Sequence, residues 1–295
     1  MKKLLIAAAA LTVIAACNKK TVSAPGFSVT AAATTLAAGD TATFAFTGNP
    51  GYITFYSGEP GRKYENRNRT TADGKALLQF TSYMQYGAQA NTLQLLMSTD
   101  FSGTYDSTNI YNAHWTDLTS RAKLSTGSDN TASGVVDLSD MINGGKAVYF
   151  AFKYTGAPGT AQRTWTIKNF ALNNVLNADS AVYPLLTLPM VDSAWKPVAM
   201  KNKINWTFST TQLQVKGTNS TSSLDTEDWI VSKALFLNRV TPDVGVQLKN
   251  MTTAVSAYSY VYQTAGSYTA SFAVSNTTKY DSKSEVKQIP FTITP

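Results

Sequence analysis

One cysteine and one histidine in 295 residues remove whole classes of chemistry before any motif is considered. Cys17 stands alone, so the chain has no disulfide framework and no cysteine-based zinc site, even in a compartment that would permit disulfides. A Ser-His-Asp triad could use only His114, and no G-x-S-x-G, H-E-x-x-H or phosphate-loop signature accompanies it. Glutamate is scarce as well: Glu59, Glu65, Glu227 and Glu285 are the whole set, and none sits in a recognisable catalytic setting. Long amphipathic helical patterns are missing, whereas short alternating runs of Val, Thr and aromatics recur. Stability must come from burial between strands, and the about 275 residues after Cys17 are ample for two β domains.

Strong charge of one sign is also lacking where a working surface would need it. The chain carries +7, and losing Lys2 and Lys3 with a leader leaves +5. Between residues 76 and 236, eleven Lys or Arg meet eleven Asp or Glu. The surplus lies in the flanks, seven basic against four acidic before that region and five against three after it. Nucleic-acid binding wants a basic stripe on the working domain, so no nucleic-acid partner is expected. The cluster Arg62, Lys63, Arg67 and Arg69 reads as a solvated turn or as a face near anionic lipid.

The only long apolar run is at the start. Lys2 and Lys3 precede residues 4–16, which are apolar or small except for Thr12. The run is too short to span a bilayer and reads as a secretory leader. Ile14, Ala15, Ala16 and Cys17 resemble a bacterial lipobox, which implies cleavage before Cys17 and acylation of that residue. A buried core cysteine is the other reading of Cys17. Asn18 follows, where an Asp would resemble an inner-membrane retention signal, so the resemblance implies an outer-membrane anchor. Lys19 and Lys20 leave open which face of that membrane the protein occupies.

Organisation follows from the two ends of what remains. The run 256–294 holds Tyr260 and Tyr262 before a turn at Ala265-Gly266, then Tyr268, Ala270, Phe272 and Val274 alternating with polar residues, then Ile289, Phe291 and Ile293. Such period-2 strands bury one face only against another sheet. Near the other end, strands are expected at 27–33, at 41–47 with Ala42, Phe44 and Phe46 on one face, and at 52–57. Glu59-Pro60-Gly61-Arg62 has type II turn chemistry; a functional role for Glu59 and Arg62 is the other reading. YVYQTAGSYTASFAVSN resembles the closing strands of a PKD-type immunoglobulin-like sandwich, and residues 27–69 resemble its opening strands, with FYSGEPG standing where that pattern has aromatic-x-Phe-Gly-Asp-Gly. The whole chain is similar to an uncharacterised family of bacterial lipoproteins, a domain of unknown function often encoded beside outer-membrane glycan-uptake systems.

These readings predict an all-β chain. Residues 1–17 are leader and lipobox, 18–26 a tether, 27–73 and 238–295 the two halves of a PKD-like sandwich, and 74–237 an inserted jelly roll. In the insert, strands are expected at 76–81, 92–98, 110–118, 133–137, 146–154, 164–172, 203–215 and 229–237, with a hairpin turn at 143–145. SGVVDLSDMINGGKAVYFAFKY and RTWTIKNFALNNV resemble galactose-binding-like jelly rolls of carbohydrate-binding modules.

Sugar binding requires flat aromatic faces ringed by amides and carboxylates. Trp115, Trp165, Trp206 and Trp229 sit in strand patterns and read as core. Trp195, between Pro189 and Pro197, reads as an exposed loop indole and stacking platform, or else as a plug under that loop. Tyr83, Tyr86, Tyr105 and Tyr111 are further stacking candidates, with ordinary loop tyrosines the alternative. Jelly rolls of this type often hold structural Ca²⁺, for which Asp100, Asp106, Asp225, Glu227 and Asp228 are candidate ligands, though no loop has EF-hand spacing. No other cofactor is implied. Three functions compete: a lipid-anchored, non-catalytic glycan-binding protein assisting an outer-membrane uptake complex, a structural or protein-interaction lipoprotein, and a carboxylate-based glycoside hydrolase. Exposed aromatics around a concave face favour the first, a flat apolar patch the second, and paired buried carboxylates the third.

Overall fold

The computed structural model describes residues 21–142, 144–187, 194–202, 206–218, 224–251 and 253–295. Cys17 and the leader, Asn143 of the expected hairpin turn and Pro189 beside Trp195 lie outside the described residues. The chain is all-β. Among the described residues it forms twenty strands, and its one α-helix has six residues. No described helix is long and apolar enough to cross a membrane. Two compact units divide the chain, one of residues 1–69 with 242–295 and the other of residues 70–241.

The smaller unit draws strands from both ends of the chain. From the first segment come β1 (Ser28–Ala31), β2 (Thr35–Ala37), β3 (Thr41–Thr47) and β4 (Tyr52–Tyr56). From the second come β17 (Val246–Lys249), β18 (Ala257–Val261), β19 (Gly266–Thr277) and β20 (Ser282–Thr294). They build one sheet in the order β1-β3-β18 and another in the order β17-β4-β19-β20-β2. Phe44 of β3 shows why the sheets pack: its ring lies 5.7 Å from Phe55, 5.0 Å from Phe272 and 5.5 Å from Phe291, all on the opposing sheet. Edge-to-face and tilted aromatic pairs of this kind add to what simple burial gives. Gly61 has φ +76° and Arg62 N–H donates to Glu59 O, the geometry of the type II turn. Glu59 itself accepts from Ser57 Oγ and the Tyr260 hydroxyl, so its carboxylate braces the turn. Asp243, buried where the chain re-enters this unit, accepts from Lys63 N–H at 2.8 Å and pairs with Arg69 at 3.2 Å.

The larger unit is also a two-sheet sandwich. In chain order its strands are β5 (Gly74–Gln85), β6 (Leu93–Ser98), β7 (Thr116–Asp117), β8 (Thr131–Ala132), β9 (Val136–Asp137) and β10 (Tyr149–Gly156). Then follow β11 (Thr164–Leu176), β12 (Val182–Thr187), β13 (Trp195–Lys201), β14 (Trp206–Phe208), β15 (Gln212–Lys216) and β16 (Thr226–Ser232). One sheet runs β13-β16-β10-β6-β7; the other runs β14-β15-β11-β5-β8, with β12 on β11 and β9 on β5. Leu78, Phe80, Leu95, Phe152, Ile167, Phe170, Trp195 and Ile230 close the core between them.

Three local expectations change. Residues 107–112 are not the start of a strand but the helix α1 (Ser107–Asn112), because Asp106 in an extended conformation caps it by accepting from Asn109 N–H at 2.8 Å. β9 pairs in one sheet and β10 in the other, so these two strands do not form the expected hairpin; Gly144 and Gly145 have positive φ. Strands β12 and β13 were not foreseen. Both carry a proline, Pro184 and Pro197, and both lie at sheet margins where a missing N–H costs no ladder bond.

Candidate functional site

The sheet β13-β16-β10-β6-β7 is apolar on both faces. Alternation along β16 sends Ile230 inward and Trp229 and Val231 outward, and Leu96, Ala151 and Val198 share that outer side. Such a face needs a cover, and residues 99–115 supply it. Phe101 and Ile110 are buried on it, and Phe101 meets Tyr149 edge-on at 5.0 Å. Trp115 packs on Trp229 with centroids 5.1 Å apart and donates its Nε1–H to Ile110 O at 2.9 Å. The two ends of the cover are clamped together, since Asp100 accepts from His114 N–H at 2.9 Å and its other oxygen lies 2.7 Å from His114 Nδ1. That contact, then the Ser98 hydroxyl, holds the Asp100 carboxyl below its ordinary value.

At the margin of the cover the sheet turns polar, and here the chemistry collects. Glu227 accepts from Trp229 Nε1–H at 2.7 Å and lies 3.7 Å from Lys153 Nζ, which sits 5.5 Å from the Trp229 ring centre. Tyr111, 60 % exposed on α1, lies close enough to Glu227 to feel its charge; burial first, then Glu227, raise the phenol's pKa. Lys201 pairs with Asp225, whose carboxyl it holds low, and Asn202 Nδ2 donates to Asp225 O at 2.7 Å. Beside this row opens a cleft of about 650 Å³ lined by Gln89, Thr92, Thr155, Pro158, Lys201, Asp225 and Glu227 among others. Amide, hydroxyl, carboxylate and ammonium groups thus line the cleft, and Glu227 and Lys201 of that lining also act on the Tyr111 phenol. A second cleft, about 510 Å³, lies across the 89–92 segment, where Asn91, Gln94, Asp117 and Arg163 surround Met84, Leu93, Leu124 and Trp165.

Of the residues singled out in the sequence, the fold brings together Tyr111, Asp225 and Glu227. The others are placed elsewhere. Trp195 is not a loop platform: it opens β13 with 0 % exposure, edge-on to Phe170 at 5.2 Å and stacked toward Phe152 at 6.0 Å, so neither face is open to a ligand. Trp165, Trp206 and Trp229 are buried, while Trp115 is half-buried after α1 rather than inside a strand. Tyr105 is part of the cover, with its hydroxyl on Ser232 O at 3.1 Å and its ring edge-on to Phe101. Tyr83 points away from the core on β5, and Tyr86, 71 % exposed at φ +56°, ends that strand.

The proposed Ca²⁺ ligands do not converge. Asp100 clamps the cover, Asp106 caps α1, Asp225 is paired with Lys201, and Asp228 is fully buried on the opposite side of β16 from Glu227. Among the described residues no three His, Cys, Asp or Glu side chains are arranged to hold a metal. Lys153 and Lys201 were missed, because an outward lysine in a strand gives no signal until its cross-strand neighbours are known. Asp100, His114 and Ser98 do not form a triad either, since the Ser98 hydroxyl bonds the carboxylate and not the imidazole.

No curated protein and no solved structure matches the chain. One family pattern does, over residues 16–195, a span that runs from Ala16 through the first strands of the smaller unit and on to the first residue of β13. That is more than half of the chain, and the protein belongs to the family described as Domain of unknown function (DUF5017).

Proposed function

We propose that this protein is a lipid-anchored, non-catalytic carbohydrate-binding protein of the outer membrane, and that the margin of the 99–115 cover is where it holds an oligosaccharide. The observation that carries the reading is the exposed Tyr111 ring set near Glu227, beside an open cleft that Glu227, Asp225 and Lys201 help to line. Sugar C–H faces stack on such rings while neighbouring amides and carboxylates bond the hydroxyls. The sequence Ile14-Ala15-Ala16-Cys17 supports the anchor and the location, and with them a role beside an outer-membrane glycan-uptake complex. Hydrolysis fits less well. A glycosidase needs one carboxyl kept protonated near neutral pH, whereas Asp225 is held low by Lys201.

The test is a glycan array probed with the chain bearing Cys17→Ala. Retention of a defined glycan class, lost more than tenfold in Tyr111→Ala and in Glu227→Gln with folding intact, is the expected result. No retention, or retention indifferent to both substitutions, rejects the reading. The anchor is tested separately, since Cys17→Ala should move the protein from the membrane to the soluble fraction. A second reading, a protein-interaction lipoprotein, is favoured by one feature of the smaller unit: β17 is an edge strand bearing exposed Val246, with exposed Val244 and Met251 next to it. Open edges of this kind accept a partner's strand. Loss of partner capture on Val246→Lys, without loss of glycan retention, would support it.

A further inference from the structure

The lipid anchor has a consequence for one end of the smaller unit. Residues 22–27 are stapled to the strands that end there. Val22 is buried and its N–H donates to Asp281 Oδ2 at 3.0 Å, Phe27 N–H donates to Glu285 Oε1 at 2.9 Å, and Asn276 Nδ2 donates to Ser23 O at 3.1 Å. Phe27 also enters the core, 5.3 Å from Phe46. Only four residues separate Cys17 from Val22. An extended chain advances at most about 3.5 Å per residue, so an acylated Cys17 holds Val22 within about 18 Å of the acyl attachment, and Val22 is bonded to Asp281 of the neighbouring β19–β20 turn.

That turn is suited to the distance. Lys279, Tyr280 and Lys283 are exposed, Tyr280 by 67 %, with Lys279 Nζ 5.6 Å from the Tyr280 ring centre. The nearby carboxylates are already engaged, Asp281 by Val22 and Glu285 by Phe27 and Lys287. Neither Lys279 nor Lys283 forms an ion pair among the described residues. We propose that the β19–β20 turn is a membrane-contacting tip. Tyr280 settles in the headgroup layer of the bilayer that holds Cys17, while Lys279 and Lys283 meet anionic headgroups. This rests on the lipid-anchor reading above.

The scarcity of cysteine makes the test clean, because in the acylated protein a single introduced thiol is the only one free. The acylated chain is reconstituted into phosphatidylethanolamine–phosphatidylglycerol vesicles carrying a lipid-borne quencher. A dye is attached through Ser284→Cys near the tip or through Thr264→Cys, which lies beyond the opposite end of β19, about 37 Å away at 3.4 Å per residue. Quenching at 284 at least threefold stronger than at 264, falling to the level at 264 when Lys279→Glu, Tyr280→Ser and Lys283→Glu are added, is expected. Equal weak quenching at both positions in protein that floats with the vesicles overturns the tip and leaves the anchor standing. Protein that does not float overturns both.

Discussion

Strands β3 of the smaller unit and β16 of the larger are both seven residues long, and they differ in how many faces they bury. β3 reads Thr-Ala-Thr-Phe-Ala-Phe-Thr, with every second side chain buried and the rest exposed. β16 reads Thr-Glu-Asp-Trp-Ile-Val-Ser, and all but Glu227 are buried. Alternation suffices where one face meets water, while a strand hydrophobic on both sides needs a further layer. In the smaller unit both sheets are satisfied by each other. In the larger unit one sheet also recruits residues 99–115, and the margin of that extra layer is what sets Tyr111 beside Glu227. The site is thus a by-product of covering a second apolar face.

The sharpest way to probe the comparison is to damage each core at its centre. Phe44→Ala and Trp195→Ala should each destabilise the unit they belong to by about 3–5 kcal/mol, the usual cost of an aromatic deletion in a core. All five tryptophans lie between residues 70 and 241, so their emission reports the larger unit alone, and hydrogen exchange along β19 reports the smaller. A near-neutral Trp195→Ala would return Trp195 to the role of a surface platform. Next in size is Asp243→Ala, which strips Lys63 N–H and Arg69 of a buried partner and should cost the smaller unit about 3 kcal/mol. Chemical denaturation measures it, and a change below about 0.5 kcal/mol would remove Asp243 from the bracing of the chain's re-entry.

Much of this contrast was legible and some was not. The alternation of Ala42, Phe44 and Phe46, the closing strands and the Gly61 turn are local patterns, and local physics decides them. Trp165 and Trp206 read as core for the same reason. The cover was misread because Ile110 and the residues after it alternate like a strand, while the decisive group, Asp106, acts as a cap three residues ahead of Asn109. Trp195 was misread because flanking prolines suggested a loop, and only the strand order shows that Pro197 sits on an edge strand. The meeting of Tyr111, Lys153, Lys201 and Glu227 depends on pairing among β10, β13 and β16, which no single segment encodes.

Smaller effects test the cover itself. Trp115→Ala should cost the larger unit about 1–2 kcal/mol, less than a core deletion because the ring is half-buried, and it should speed amide exchange across residues 99–115 while leaving β11 protected. Uniform loosening of both sheets would break the distinction between cover and core. The clamp is smaller still. A carboxyl held below its ordinary value contributes fully above that value, and the contribution is lost as pH falls through the lowered one. For Asp100 the Trp115 indole signal should therefore report a closed cover at neutral pH and lose it only below about pH 4, where aspartate ordinarily titrates. A signal unchanged at still lower pH, or unchanged by Asp100→Asn, would show that the clamp does not hold the cover.

The most direct test of the proposed binding face is hydrogen exchange with and without an oligosaccharide selected on the array. Added protection confined to residues 89–92, 107–115, 153–158, 201–202 and 225–229 is predicted. Protection on β5, β11 and β15, or in the smaller unit, would contradict the assignment of the binding face to the margin of the cover.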